Sequence, residues 1–332
     1  MEKLGLEEES MKIGIMGTGT IAGKMARTLA KMDDAAFYAA GSRTLEKAEK
    51  LVAEYNGGKA YGSYEELVQD PEVELIYIAT PHSHHYENAK LCIEHGKAVL
   101  CEKAFMANAM QARKIVALAQ EKNVFLAEAI WTRYMPSRKM IDDIVSGGEI
   151  GEVISLTANL GYDEVRVPRI KDPDLAGGAL LDLGIYPLTF ASMIMGDEVV
   201  KVTSSCTKME SGVDALNAMI LEYPGGKLAI LHSGILGATE QYGIVYGTEG
   251  YLIARNINNV DEIEVYTPDR MLKRVIKVPE QISGYEYEVQ ACIKAIQEGK
   301  TSCEEAPLAQ SIHMMELMDT MRRQWGIRYP FE

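Results

Sequence analysis

The 332-residue chain carries 48 acidic against 34 basic side chains, a net charge of −14, and such a field repels phosphate backbones and anionic lipid, so neither nucleic acid nor a membrane surface is an expected partner. Its 47% hydrophobic and 25% charged content is that of a soluble globular protein, its length predicts two domains, and no stretch reads as the ~20 apolar residues that span a bilayer. Five scattered cysteines, Cys92, Cys101, Cys206, Cys292 and Cys303, form no CxxC pair, which argues against a disulfide framework or a zinc ribbon and fits the reducing cytoplasm.

The leader MEKLGLEEES is acidic and lacks a basic segment followed by an apolar one. It is therefore not a secretory signal; it reads as disordered, or as lying upstream of a true start at Met11. From residue 12 short apolar runs alternate with helical segments: strand KIGIM, helix TIAGKMARTLAKM, strand AAFYAAG, helix TLEKAEKLVAEY, strand VELIYIAT, helix HHYENAKLCIEHG, strand KAVLCE, helix ANAMQARKIVALAQEKN and strand VFLAEAI. Strands separated by helices of 10 to 15 residues imply right-handed crossovers and a doubly wound parallel sheet. This first domain is expected to span residues 11–131.

Between its first strand and helix stands Gly17-Thr18-Gly19-Thr20-Ile21-Ala22, a GxGxxA pattern. In a βαβ context the first glycine permits the tight turn, the second lets backbone N–H groups approach a pyrophosphate, and the small Ala22 lets helix and strand pack closely. Gly17, Gly19, Thr20 and Ile21 are thus expected to cradle a dinucleotide. A site selective for NAD usually carries a carboxylate at the end of the second strand; here that strand ends in Ser42-Arg43, a hydroxyl and a guanidinium that favour a 2′-phosphate. NADP is the expected cofactor, with NAD as the alternative. The competing reading lays Arg43 over the adenine and uses Ser42 as a helix N-cap.

Farther on, Glu102-Lys103 closes the strand KAVLCE. Ligands of parallel α/β sheets gather at the carboxyl ends of strands, which points this acid and base into the cofactor crevice.

After a helix over residues 137–146 the grammar changes to strands joined by short turns: VISLTANLGY, VVKVTSSCTK, DALNAMILEY, KLAILHSGIL, EQYGIVYG, YLIARNI and EIEVYT, with hairpin turns YPGGK and GTEG. One helical stretch, GALLDLGIYPLTFASMIMG, interrupts them, and helices over 285–298 and 308–325 close the chain, Met314, Met315 and Met318 falling at core spacing. The expected second domain, 132–332, is α+β with a large, mainly antiparallel open sheet, its final helices packing back on the first domain. The apolar content of its strands on both faces predicts a homodimer or higher oligomer built on the outer face of the sheet.

The chain resembles the family of glucose-fructose oxidoreductase, inositol dehydrogenase and MocA over residues 11–332, through GIMGTGTIA, the TPHSHH loop at 80–85, Glu102-Lys103 and GGALLDLGIYPL at 177–188. The run EAIWTRYMP at 128–136 looks most like the branch holding dimeric dihydrodiol dehydrogenase and NADP-dependent D-xylose dehydrogenase. The resemblance implies that Lys103 matches the lysine of an EKP motif beside the nicotinamide, that Tyr186 is the acid/base, that Asp182 orients substrate, and that Thr80, Pro81, His82, His85 and Glu102 line the cofactor. Two departures stand out: Ala104 replaces the usual proline, and His82 replaces a frequent asparagine.

These residue types suit hydride transfer at a carbinol. Its hydroxyl proton must leave, yet free tyrosine titrates near ~10, so a neighbouring ammonium from Lys103 is expected to lower the Tyr186 pKa and stabilise an oxyanion. Residues 182 and 186 are four apart and share one face of a helix. Trp131 and Arg133 at the domain junction are candidates for the substrate pocket. His82, His84 and His85 lack a Cys or carboxylate at ligand spacing, so no metal is expected. The reading is an NADP(H)-dependent oxidoreductase acting on a CH–OH carbon of a sugar, polyol or cyclic diol. A redox-assisted glycosidase and a cofactor-sensing regulator on the same fold are the alternatives.

Overall fold

The structure is a computed structural model that describes residues 10–332; the acidic leader, apart from Ser10, lies outside the described residues. Six strands, β1 (Met11–Met16), β2 (Ala35–Gly41), β3 (Lys59–Tyr61), β4 (Leu75–Ile78), β5 (Ala98–Glu102) and β6 (Leu126–Ala129), form a parallel sheet of order β3-β2-β1-β4-β5-β6. The helices α1 (Thr20–Leu29), α2 (Leu45–Tyr55), α3 (Tyr64–Gln69), α4 (His82–Glu94) and α5 (Ala109–Lys122) connect them. Every residue of β4 is buried, which is why it reads as an unbroken apolar run and not as an alternating one. Local chemistry sets the helix ends: Asn108 caps α5 by accepting from Gln111 N at 2.9 Å, and α2 and α5 stop at Asn56 and Asn123, both left-handed.

Past α6 (Pro136–Ser146) comes a second sheet built from β7 (Val153–Gly161), β8 (Lys201–Lys208), β9 (Asp214–Glu222), β10 (Leu228–Gly234), β11 (Gly243–Gly247), β12 (Gly250–Arg255), β13 (Glu262–Tyr266) and β14 (Leu272–Lys277). Their order is β14-β13-β12-β11-β7-β10-β9-β8, antiparallel throughout except for the parallel pair β7 and β10. Between β7 and β8 the chain makes a long loop with two 3₁₀ turns, then a π turn at Leu180–Gly184 that runs straight into α7 (Ile185–Met195). The segment Pro173–Met195 is long and apolar enough to cross a membrane by length and composition, which corrects the sequence reading, but most of it is buried against β7 and β10 as the core helix of this half.

Helices α8 (Glu286–Gln297) and α9 (Leu308–Trp325) return to the first sheet. Ala109 N, at the start of α5, donates to Asp319 of α9 at 2.9 Å, and Leu126 N donates to Thr301 O at 3.0 Å. Met314, Met315 and Met318 are buried there.

The two faces of the second sheet differ. Leu156, Leu221, Leu231, Val245, Leu252 and Val265 are fully buried under the helices. On the opposite face the register lines up Thr203, Ile220, Ile230, Thr157, Ile244, Ile253, Glu264 and Val275 in one row across all eight strands, Ile230 being 49% exposed. Beside it run Tyr246, Tyr251 and Tyr266, the last two stacked with centroids 4.8 Å apart. An open sheet face this apolar is a surface suited to burial.

Candidate active site

The GxGxxA turn sits at the carboxyl end of β1. Gly17 has φ +108°, and a Cβ there would lie 2.9 Å from Ala79 O, so the tight turn requires glycine. Gly19 is different: a Cβ would meet nothing within 4 Å, and α1 begins at Gly19 without a side-chain cap. The first N–H groups of α1 therefore face open space at the positive end of the helix, flanked by exposed Thr20 and half-buried Ile21, a cradle that fits a pyrophosphate. At the end of β2, Ser42 Oγ accepts from Thr44 N at 3.3 Å, which leaves its O–H free to donate. Arg43 is exposed and makes no hydrogen bond or ion pair among the described residues. These residues fit an adenosine 2′-phosphate; the reading of Ser42 as the N-cap of α2 is corrected, since the cap position is Thr44 and Ser42 only closes the turn before it.

Glu102 and Lys103 leave the end of β5. Glu102 is buried, accepts from Tyr77 Oη and from Lys103 N, and burial pushes its carboxyl above the ordinary range. The Lys103–Ala104 peptide bond is cis. Without the usual proline, the loop is held from outside: Phe105 N donates to Glu128 Oε1 at 3.0 Å, and the His85 ring lies between two loops, Nδ1 3.0 Å from Ala104 O and Nε2 2.8 Å from Thr80 O. Burial pushes the His85 pKa down to about 4, so the ring is neutral at physiological pH and its single N–H serves one loop at a time. His85, expected to line the cofactor, is fully buried and ties the Thr80 loop to the Lys103 loop. Asn88 steadies the same loop by donating to Thr80 Oγ1 at 3.0 Å, with Pro81 capping α4.

Across the crevice the π turn carries Asp182 and the first turn of α7 carries Tyr186. Gly184 between them allows close approach to β10, since a Cβ would stand 3.0 Å from Ser233 Oγ. Leu180 N donates to buried Asp214 at 2.8 Å, and Asp214, Asn217 and Ser233 form a hydrogen-bonded chain that fixes the turn on the sheet. A π turn offsets residues relative to an α-helix, so Asp182 and Tyr186 converge on one cation without lying on one regular face.

That cation is Lys103. Its Nζ donates to Asp182 O at 2.8 Å, lies 3.7 Å from Asp182 Oδ1 and stands 5.0 Å from the centre of the Tyr186 ring. Asp182 also receives Arg169, at 3.1 Å and 3.4 Å. Burial alone would raise the Asp182 pKa, but Lys103, Arg169 and His82 outweigh it and hold the carboxyl well below the usual range. His82 Nε2 lies 3.9 Å from Asp182, yet burial lowers its pKa and keeps it neutral, its Nδ1 facing Ala176 O at 3.1 Å. His82 thus links the Thr80 loop to the second half of the chain.

Tyr186 is buried, and its hydroxyl accepts from Trp131 Nε1 at 3.1 Å. Trp131 in turn stacks on Tyr285 with centroids 4.3 Å apart. The expectation that Lys103 lowers the Tyr186 pKa is corrected here: burial and then Glu102 push it well above 10, and the ammonium sits over the ring face, not at the hydroxyl. Arg133 goes elsewhere. It is buried and donates to Ser192 Oγ at 2.8 Å, six residues beyond Tyr186 and so about 9 Å along α7, which makes it an interdomain packing residue. Arg169 and Tyr285 were not anticipated; the first lies in a loop without periodicity and the second in a helix start that reads as core.

The arrangement supplies an acid with an O–H directed by Trp131, a fixed ammonium beside it, and a phosphate cradle on the same strand ends. Such a set moves a proton at an oxygen while a neighbouring carbon exchanges a hydride. Comparison with known proteins agrees. Residues 11–129 match the oxidoreductase family with an NAD-binding Rossmann fold, GFO/IDH/MocA, and residues 139–253 match its C-terminal domain. The chain is 34% identical to D-xylose 1-dehydrogenase (NADP(+)) of Hypocrea jecorina, with 97% of this chain and 93% of that one aligned. It is 33% identical to trans-1,2-dihydrobenzene-1,2-diol dehydrogenase of Mus musculus, with 97% and 98% aligned. Among solved structures, KijD10, a 3-ketoreductase from Actinomadura kijaniata in complex with NADP and TDP-benzene, superposes with a TM-score of 0.87 at 22% identity, covering 95% of this chain and 98% of that one. Fold, strand-end chemistry and relatives together place the chain in the Gfo/Idh/MocA family of NAD(P)-dependent oxidoreductases.

Proposed function

We propose that the protein transfers a hydride between the nicotinamide of NADP(H) and a CH–OH carbon of a sugar, polyol or cyclic diol. The observation that carries this reading is the convergence of Lys103, Asp182 and Tyr186 at the strand ends that also hold the Gly17–Gly19 turn. Residues 11–131 hold the cofactor and residues 132–332 supply the substrate side. Gly17, Gly19, Thr20 and Ile21 would hold the pyrophosphate, Ser42 and Arg43 the 2′-phosphate, and Thr80, Pro81, His82, Glu102 and Lys103 the nicotinamide half. When bound, the nicotinamide accepts or supplies the hydride. The chain does the rest: Tyr186 Oη gives a proton to the carbonyl oxygen in reduction or takes it from the carbinol in oxidation, Trp131 aims that hydroxyl, and Lys103 steadies negative charge on the same oxygen.

The test is a panel of aldoses, polyols and cyclic diols with NADP+, followed by NADPH absorbance. Stoichiometric NADPH supports a dehydrogenase; sugar cleavage without net NADPH would mean a redox-assisted glycosidase, and tight NADP(H) binding without turnover a sensor. Arg43→Ala should raise KM for NADP(H) by about 10–100-fold, the worth of a charge-assisted contact, while KM for NAD(H) moves within about twofold. Equal losses for both cofactors would mean that Arg43 packs on adenine.

The oligomer follows from the outer face of the second sheet, whose isoleucine row and tyrosine ladder suit a second copy of the chain. We expect a homodimer or larger assembly, shifted towards monomer by Ile230→Lys; a wild-type monomer in light scattering at micromolar concentration would refute it. All five cysteines are free, Cys292 and Cys303 with sulfurs 3.8 Å apart, which suits the cytoplasm.

A further inference from the structure

Trp131 aims the Tyr186 hydroxyl, and Trp131 is itself held by the turn that precedes α8. Gly284 in that turn has φ +99°, and a Cβ there would stand 3.1 Å and 3.2 Å from two carbons of the indole, so the backbone of the turn lies against the ring edge. Tyr285 covers the ring face, with centroids 4.3 Å apart and planes 14° from parallel. Both rings are buried. Held on edge and face, the indole directs its N–H to the Tyr186 hydroxyl at 3.1 Å.

One side chain shapes this turn. Glu286 is 4% exposed, and its carboxylate accepts from Ile282 N at 2.7 Å through one oxygen and from Ser283 N at 3.0 Å and Gly284 N at 2.7 Å through the other. A buried carboxylate is tolerated where donors replace water, and these converging N–H groups do so. A carboxylate that merely caps a helix takes one N–H. Taking three consecutive ones fixes the backbone of the whole turn, Gly284 included. Ser283 extends the hold to the first domain. Its Oγ accepts from Tyr285 N at 3.2 Å and lies 2.8 Å from Thr28 Oγ1 in the last turn of α1; Thr28 donates to Lys24 O, so Ser283 is the donor of that pair.

We propose that Glu286 is a positioning residue for the proton transfer: it acts through the Gly284–Tyr285 turn and Trp131 to hold the Tyr186 hydroxyl towards the substrate oxygen, without touching substrate or cofactor. This rests on the oxidoreductase reading of the same site and adds to it a residue on the far side of Trp131. The Trp131 N–H occupies a lone pair of the phenol, which leaves the phenol O–H for substrate. When the turn relaxes, indole and phenol both gain freedom, and a misplacement of about 1 Å at a reacting group costs up to ~10²-fold in rate.

The experiment is a cycle of Glu286→Ala, Trp131→Phe and the two together, assayed with NADP+ on the substrate that the panel of aldoses, polyols and diols identifies. In Glu286→Ala, kcat should fall by roughly 10–100-fold while KM for NADP+ stays within about twofold. Because Glu286 acts through Trp131, the double variant should lose no more than about twofold beyond the worse single one, whereas a merely structural role gives independent losses. Glu286→Gln keeps an oxygen for Ser283 N and Gly284 N and leaves to water only the N–H of Ile282, an exposed residue, so its kcat should return to within about threefold of wild type. Multiplicative losses in the double variant, or a Gln variant as slow as the Ala one, would overturn the assignment. Gly284→Ala keeps every Glu286 bond and drives a Cβ against the indole; it should reproduce the kcat loss and its disappearance in Trp131→Phe, and it carries the cycle if Glu286→Ala does not fold. A second readout needs no turnover. With Trp325→Phe in place Trp131 is the sole tryptophan, and acrylamide quenching of its fluorescence should rise by about twofold or more on Glu286→Ala. Wild type that turns over none of the panel sinks the oxidoreductase reading; the hold of Glu286 on Trp131 stands or falls by the quenching, and unchanged quenching overturns it.

Discussion

Tyr186→Phe is expected to lower turnover by roughly 10²–10⁴-fold, the range for loss of a positioned general acid or base, with KM for NADP(H) nearly unchanged. The phenol stands beside Lys103, and its hydrogen-bond geometry is set by Trp131 Nε1 at 3.1 Å. Lys103→Met should lose a comparable amount, because the ammonium held by Asp182 O stabilises charge on the same substrate oxygen. The two residues act on one transition state, so the double variant should be little worse than the worse single one. Multiplicative losses, or near-normal turnover in Tyr186→Phe, would move the proton to Lys103. The buried, raised pKa of Tyr186 also fixes the sign of the pH dependence. Reduction uses the protonated phenol and should be flat through neutral pH; oxidation needs the phenolate and should climb with pH, up to about tenfold per unit, across the same range. An oxidation profile that levels off below pH ~7 would mean a base other than Tyr186.

The parts of this protein that are legible in its sequence are those where one physical requirement leaves a local trace. Strands buried on both faces leave apolar runs, and β1, β2, β4, β5 and β6 appear as such. The turn at Gly17 leaves a glycine because its φ is +108°. Short or solvated elements leave none: β3 has three residues, and β14, LKRVIK, is an exposed edge strand whose charges read as loop. In the site, Lys103, Asp182, Tyr186 and Trp131 come from motifs in order along the chain. Arg169 belongs to a loop whose position is set by hydrogen bonds to the end of β10 and by the pairing with Asp182, long-range contacts with no period in sequence. Tyr186 was legible as a neighbour of Lys103 and misread in its energetics, because proximity of Lys103 suggested a lowered pKa while the dominant influence, burial, depends on the packing of α7. The same applies to Ala104: loss of a proline ring suggests a loose loop, but His85 and Glu128, far from it in sequence, hold the backbone on either side.

Asp182→Asn should cost both stability and rate, and the two losses have different signatures. The carboxylate is 4% exposed and faces Lys103 and Arg169. Removing one charge from a buried set leaves the others uncompensated, which costs about 3–5 kcal/mol; the half-exposed Arg169 can turn towards water, so the lower end, about 3, is expected, with a fall of several degrees in thermal midpoint. Because the folded-state pKa of Asp182 is depressed, its contribution is present above the unfolded value of about 3.9 and is lost as pH falls through the folded pKa. The gap between wild type and variant should therefore be widest at neutral pH and close in acid. Turnover should drop by about 10²-fold through misplacement of Lys103, whose anchor to the Asp182 carbonyl depends on the π turn holding its shape. Adding Lys103→Met discriminates the causes. If charge imbalance is what destabilises Asp182→Asn, the double variant, with only the solvent-reaching Arg169 left, should be more stable than Asp182→Asn alone while remaining inactive. A double variant that is less stable by the sum of the two single effects would show that Asp182 acts by shaping the turn and not by balancing charge.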